Sequence, residues 1–179
     1  MAAHEKNNLF SMRPVGRIKN SLSKPMHRPD PDAEPDVKRE QGKANQRIIK
    51  KTISQLIIDP AYEALLDGIE EFSHIMIIYW PHLLPENERH IQKVHPMGRK
   101  DMPEQGIFAT RSPARPNPIL VSTVRLLKRD KNILQVIGLE ALNDSPILDI
   151  KPYIAFDEAD GEPVFPDWIK KLHEELKSE

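Results

Sequence analysis

The chain has 179 residues, a formal net charge of −1 and 30% charged side chains. That length suits one domain with a sizeable core, and the near-neutral balance gives no global field to gather nucleic acid, so any RNA-binding surface has to be local. Cysteine is absent, which excludes disulfides and thiolate metal sites.

Residues 1–13 are polar and patternless, without the apolar core of a signal peptide, and read as a flexible tail. Residues 14–20 carry Val15 and Ile18 in a pattern that suits a first edge strand. Residues 24–45 are proline-rich and charged, with few apolar side chains beyond Met26 and Val37. Such a segment buries too little to offset its ordering entropy, so a long inserted loop is expected. Between Lys38 and Lys51 stand Lys38, Arg39, Lys43, Arg47, Lys50 and Lys51 against Glu40 alone. Two readings stand for that run: a solvated face, or a contact surface for RNA phosphates.

Residues 48–58 predict a strand. Asp59 then caps a short helix that has Pro60 at its first position and Gly68 beyond its end. The apolar run 72–80 predicts a buried central strand, ended by Pro81 and leaving His82 and Leu83 at its mouth, with His74 as a core histidine. Residues 91–95 suggest another short strand, and 96–101 a basic, turn-rich loop. In the run GIFATRSPARPNP (106–118), three prolines stiffen a strand-like start and carry Arg111 and Arg115 on a chain with little freedom left to lose. Such a segment suits a carboxylate, a phosphate or an adenosine-bearing ligand, or else is a crossover with two solvated arginines.

Residues 117–128 and 133–138 predict a hairpin, 142–146 an Asx-rich turn and 147–154 a last strand. Alternation in that strand places Ile147, Asp149 and Lys151 on one face, Leu148 and Ile150 on the other. Residues 158–179 form an extension in which Trp168, Ile169, Leu172 and Leu176 make one helical stripe. Many short strands separated by turns predict a mainly β protein, a small closed or strongly curved barrel over 14–157 with short helices and a C-terminal helix. No apolar run approaches the ~18 residues of a bilayer span. A cytoplasmic protein is expected.

No glycine-rich dinucleotide fingerprint, phosphate-binding loop or nucleophile elbow is present. His82, His90 and His95 match no metal-ligand spacing, and no metal is expected. The remaining polar groups at turns and strand ends are His82, Arg111, Arg115, Asn117, Asn143, Asp144, Ser145, Asp149 and Tyr153. Asp149 is a natural ion partner for Arg111 or Arg115 at a barrel mouth; its alternative is a local pairing near Lys151 that serves folding alone.

The run GIFATRSPARPNP together with SPILDIKPY (145–153) closely resembles the TrmO family, also called TsaA-like. The resemblance covers about half the chain. It implies a β-barrel enzyme using S-adenosylmethionine to methylate N6 of a threonylcarbamoyl-adenosine beside the anticodon of tRNA. It further implies a homodimer with cofactor near the subunit interface. The cofactor contacts it implies fall on His82, Leu83, Arg111, Leu142, Asn143, Asp144 and Ser145. Arg115, Asn117, Asp149 and Tyr153 are then candidates for positioning the acceptor, and Arg115 or the Arg99–Lys100 loop for meeting tRNA. No catalytic base is required, because the sulfonium methyl is already electrophilic. Three departures stand out: Leu120 and Asp144 occupy positions where the family usually carries glycine, and the charged stretch 25–45 occupies the region where bacterial members carry a cofactor-touching Pro-Arg-Gln-Pro segment. Another RNA or small molecule as acceptor, and a non-catalytic adenosine-ligand-binding dimer, remain as alternatives.

Overall fold

Strand β1 (Gly16–Lys19) pairs along one edge with β2 (Ile53–Ile58) and along the other with β8 (Pro146–Pro152). That short strand closes a ring. In the computed structural model, which describes residues 10–26, 32–157 and 161–177, the order β1-β2-β7-β6-β3-β8 is an antiparallel closed barrel. It is completed by β3 (His74–Tyr79), β6 (Leu120–Asp130) and β7 (Ile133–Ile137). Closure leaves no free edge to template pairing with another chain. The small, mainly β barrel expected from the sequence is what forms.

The interior follows from alternation. Ile75, Ile77 and Tyr79 of β3 point inward with Leu56, Ile58, Val124, Leu126, Leu134, Val136 and Ile147. Each such side chain contributes about 1.5 to 3 kcal/mol by leaving water. β3 is thus buried on one face only; His74, Met76 and Ile78 point outward. His74 is exposed, with Nδ1 2.9 Å from Ser73 Oγ and its ring edge-on to Tyr153, so it is not a core histidine.

A register shift between β3 and β8 alters a second expectation. Tyr79 pairs with Ile147 but Ile78 with Asp149, so Leu148 is an extra residue. The bulge lets Ile147 and Asp149 face opposite sides despite their equal parity. Asp149 lies outside with Lys151, and the two form an ion pair at 2.8 Å.

The far end of the barrel is sealed as the turn chemistry predicts. Asp59 accepts a bond from Ala61 N at 2.9 Å and caps a 3₁₀ helix over Pro60–Leu66. Gly68, at φ 85°, takes the left-handed conformation that glycine adopts at least cost. Arg129 beside the β6–β7 hairpin ties this helix down through Leu66 O, Asp67 and Glu70.

The largest departure from the sequence reading lies between β1 and β2. A helix, α1 (Pro35–Lys51), occupies much of the stretch read as loop and takes over the first residues of the strand expected from 48. Its buried face is Lys38, Gly42, Asn45 and Ile49, spaced i, i+4, i+7 and i+11. The helical period is present, yet only Ile49 is a large apolar residue, so hydrophobicity does not display it. The excursion 80–119 contains a two-stranded ladder, β4 (Lys93–Val94) and β5 (Gln105–Gly106). A 3₁₀ turn, Ile107–Ala109, stands where a strand-like start was expected. A second helix, α2 (Asp167–Lys177), ends the described chain. The expected flexible tail falls mostly on residues 1–9, and part of the expected inserted loop on 27–31, both outside the described residues.

Candidate functional site at one barrel mouth

The antiparallel registers bring three excursions to the same end of the barrel. Lys19 pairs with Gln55, Ile53 with Ile137 and Tyr79 with Leu120, while Trp80 N donates to Pro146 O and Ile18 N to Ser145 O. Segments 20–52, 80–119 and 138–145 therefore all leave from this mouth. His82, Leu83, Arg111, Arg115, Asn117 and the turn 142–145 sit on two of them.

The turn 142–145 is held from β1. Asn143 N donates to Leu22 O, Asp144 N to Ile18 O and Ser145 N to Leu142 O. Asn20 is the hub: its backbone N–H donates to Asn143 Oδ1 at 3.1 Å, and its amide donates to Ala141 O at 2.8 Å and Ser54 Oγ at 3.0 Å. Sequence reasoning recognised that strand but not this role. The available signal was an Asx residue at a strand end, where it bonds neighbouring backbone. Ser145 is 1% exposed, and its hydroxyl lies 3.3 Å from His82 Nδ1, so β8 and the 80–84 segment meet here. Leu83 beside it is 58% exposed, an apolar surface at the mouth.

Asp144 has φ 65°, so the turn keeps left-handed backbone even though it carries a side chain. Its carboxylate pairs with Lys19 at 2.6 Å. The hydrogen bond from Lys19 holds the acid below the usual carboxylate range, with the charges of Arg17 and His82 adding to the pull. A depressed acid stabilises the fold above its unfolded pKa, and that contribution is lost as pH falls through the lower folded value. Two replacements separate strain from charge. Asp144→Ala keeps the left-handed strain and loses the ion pair, whereas Asp144→Gly loses both. The alanine variant is expected to melt about 2 to 4 °C below the glycine variant, as measured by calorimetry.

The two arginines have different fates. Arg115 turns back on its own loop, donating from Nε to Ser112 O at 2.8 Å and from Nη2 to Thr110 O at 2.6 Å. It braces the segment that carries Arg111. Arg111 is exposed, and its one hydrogen bond among the described residues is a long one, 3.4 Å from Nη2 to Val121 O. Its charge also reaches Tyr79, whose phenol is pushed up to about 12 by burial against smaller opposing pulls from Ser122 and Arg111. Asn117 is exposed, and its carbonyl accepts from Ile119 N at 2.7 Å. Asp149 and Tyr153 lie on the outer sheet face instead, where Asp149 is paired with Lys151 and with neither arginine. Of the expected tRNA contacts, Arg99 is 1% exposed and committed to Asp101 and Glu175, so it has no surface to offer.

Leu120 is half-buried, pairs with Tyr79 and packs against the core, filling space at the mouth. Trp80 is overlain by the Arg89 guanidinium at 5.2 Å, which together with the bond from Arg89 to Leu84 O fixes the 80–89 segment. An open groove of about 510 Å³ on α1, lined by Asp36, Val37, Glu40, Gln41 and Ala44, shares no residue with the mouth. Among the described residues no group of three His, Asp or Glu is arranged to hold a metal, and no helix is long and apolar enough to cross a membrane.

Residues 36–160 match the family described as the tRNA-methyltransferase O N-terminal domain. A probable S-adenosyl-L-methionine-binding protein of Methanothermobacter thermautotrophicus is 47% identical over 100 residues, 56% of this chain and 69% of that protein. A mouse tRNA (adenine(37)-N6)-methyltransferase is 38% identical over 96 residues, 52% of this chain but 21% of its own length. Two solved structures share the fold. One, of TrmO, superposes with TM-score 0.63 at 26% identity, covering 88% of this chain and 63% of the other. TrmO from Pseudomonas aeruginosa superposes with TM-score 0.61 at 24% identity, covering 87% and 61%. With residues 36–160, well over half of the chain, matched, this protein belongs to the family of the tRNA-methyltransferase O N-terminal domain.

Proposed function

We propose that the chain is an S-adenosylmethionine-dependent methyltransferase acting on N6 of threonylcarbamoyl-adenosine beside the anticodon of tRNA. The observation that carries this reading is the convergence at one barrel mouth of His82, the turn 142–145 and the Arg111 segment. The residues present fit such a ligand. Arg111 has guanidinium N–H groups unused by the fold and no carboxylate partner among the described residues, so it can take the methionyl carboxylate bidentately. Leu83 and Leu142 supply apolar faces for the adenine, Asn143 and Asp144 supply polar groups to its edge, and the buried Ser145 holds the turn against His82. When bound, the cofactor supplies an electrophilic methyl group, so the protein's task is to align the acceptor nitrogen and exclude water. In this reading Asn117 holds the acceptor side, and Arg115 contributes to it through the loop that it braces.

Contacts to tRNA fall, in this reading, on exposed cations: the Lys50–Lys51 pair that ends α1 next to β2 at the mouth, and Lys100 on the 80–119 excursion. A reaction on tRNA places the protein in the cytoplasm. The homodimer belongs to the same proposal. Ile119 and Val121, 39% and 41% exposed beside Arg111, offer it apolar surface, and light scattering on the purified chain measures it.

Incubation with S-adenosylmethionine and tRNA carrying threonylcarbamoyl-adenosine, followed by mass spectrometry of the nucleosides, tests the reaction. A nucleoside one methyl group heavier is the expected product. An unchanged threonylcarbamoyl-adenosine pool with cofactor bound would favour a second reading, a cofactor-binding module with another acceptor or none. That reading has its own support in Leu120, which fills part of the mouth, and in Asp144, whose side chain is anchored to Lys19.

A further inference from the structure

Arg99 is a cation with 1% of its surface exposed, placed by a loop of the 80–119 excursion. Its guanidinium is held by two carboxylates of different origin. Nε and Nη2 donate to Asp101 at 3.0 and 2.6 Å; Nη1 and Nη2 donate to Glu175 of α2, the latter at 3.2 Å. Lys171 of α2 reaches the same Asp101 at 3.7 Å. Arg99 holds both acids below their usual range, Asp101 down to about 2, so both are ionised at neutral pH. Trp168, Ile169, Leu172 and Leu176 are half-buried, and no residue described in the helix is fully buried. It also begins at Asp167, after the family match has ended at residue 160.

From Arg99 a continuous chain of contacts runs to the Arg111 segment. Met102 N donates to Arg99 O at 3.0 Å, Met102 is 3% exposed, and its carbonyl lies 2.8 Å from His95 Nδ1. Residues 93–94 and 105–106 form the β4–β5 ladder, and Ile107 N donates to Gln92 O. Thr110 N then donates to Ile107 O, and Ser112 N to Thr110 Oγ1 on the other side of Arg111. α1 presses on the same loop from another side, with Lys38 Nζ donating to Gly98 O at 3.0 Å. The excursion is thereby one packed unit with an ionic latch at the end remote from Arg111. Coupling over such a distance needs a contiguous network of this kind.

We infer that Glu175 is a positioning residue for the cofactor side: docking of α2 on Arg99 fixes the segment that presents Arg111, so the family domain gains its full cofactor affinity only with the C-terminal helix latched. This rests on the assignment of Arg111 to the cofactor in the proposed function. The test is a double-mutant cycle in the full chain, with S-adenosylmethionine binding measured by calorimetry for wild type, Glu175→Gln, Arg111→Ala and the double variant. Glu175→Gln is expected to weaken binding about fivefold, and to weaken it less than twofold when Arg111 is already alanine, because the latch acts through that arginine. Amide exchange over residues 105–112 should rise in Glu175→Gln, and Glu175→Asp should recover part of the affinity. Should Glu175→Gln not fold, Glu175→Asp is read in the same cycle. Unchanged affinity in the Glu175 variant while Arg111→Ala binds weakly overturns the latch alone, as does a loss that is the same in both backgrounds. Wild-type affinity in Arg111→Ala, or no binding by the wild type, overturns the cofactor assignment and the latch with it.

Discussion

Arg111→Ala is expected to weaken S-adenosylmethionine binding roughly ten- to thirtyfold while leaving the melting temperature within a degree or two of wild type. The asymmetry follows from what the side chain does in the folded protein. Its one bond among the described residues, to Val121 O, is long, and the residue is exposed, so truncation opens no cavity and orphans no buried acceptor. The ligand loses more. A charge-assisted bond to a carboxylate contributes about 1.5 to 3 kcal/mol, and partial hydration at this exposed site favours the lower half of that range. Arg111→Lys retains the charge but not the two-pronged geometry, and is expected to lie between wild type and alanine. Arg115→Ala should show the reverse pattern. It removes the bonds to Thr110 O and Ser112 O, so thermal stability falls and affinity follows only as far as the segment loosens. If Arg111→Ala bound the cofactor as tightly as wild type, the mouth would not be the carboxylate site.

How far the sequence discloses this arrangement depends on the range of the interaction. Features set by a few neighbouring residues are legible: the Asp59 cap, Gly68 past the helix end, the β6–β7 hairpin and the existence of strand β3, though not that only one of its faces is buried. The helix α1 is not, because its buried face is made of Lys38, Gly42 and Asn45, residues that gain burial only from partners elsewhere. Those partners include Gly98 O for Lys38 and Met26 O for Asn45. The β8 bulge is also hidden, since a single extra residue reverses the facing of everything beyond it without leaving a compositional trace. Arg99 and Glu175 are 76 positions apart, and the run 96–101 reads as a basic loop until the third dimension supplies its acids. The mouth itself falls between these cases. Its residues stand out in two separated segments, but their meeting depends on Asn20, which directly follows β1, a strand whose pattern suggests only an edge.

Gly16→Ala is expected to be the most damaging small substitution in the barrel, by about 2 to 3 kcal/mol, or roughly 4 to 12 °C in melting temperature. A Cβ built at this position lies 2.9 Å from Ile58 Cα and closer still to the Ile57 carbonyl oxygen. Both obstacles are backbone of the neighbouring strand and cannot rotate away, so β1 and β2 have to separate. β1 has four residues and is the link that closes the ring between β2 and β8, leaving little ladder to absorb the displacement. Gly106→Ala is the control. That glycine stands at φ −58° with no atom within 4 Å of a built Cβ, so alanine is expected to be neutral, or stabilising by up to about 1 kcal/mol through the unfolded chain. The damage at Gly16 should also reach the mouth. Ile18 of the same strand accepts from Asp144 N and donates to Ser145 O, so a displaced β1 carries the turn 142–145 with it. Cofactor affinity measured well below the lowered melting temperature should therefore fall in Gly16→Ala and stay at the wild-type value in Gly106→Ala. Equal losses of stability in the two variants would mean that the close approach of β1 to β2 is not what closes the barrel.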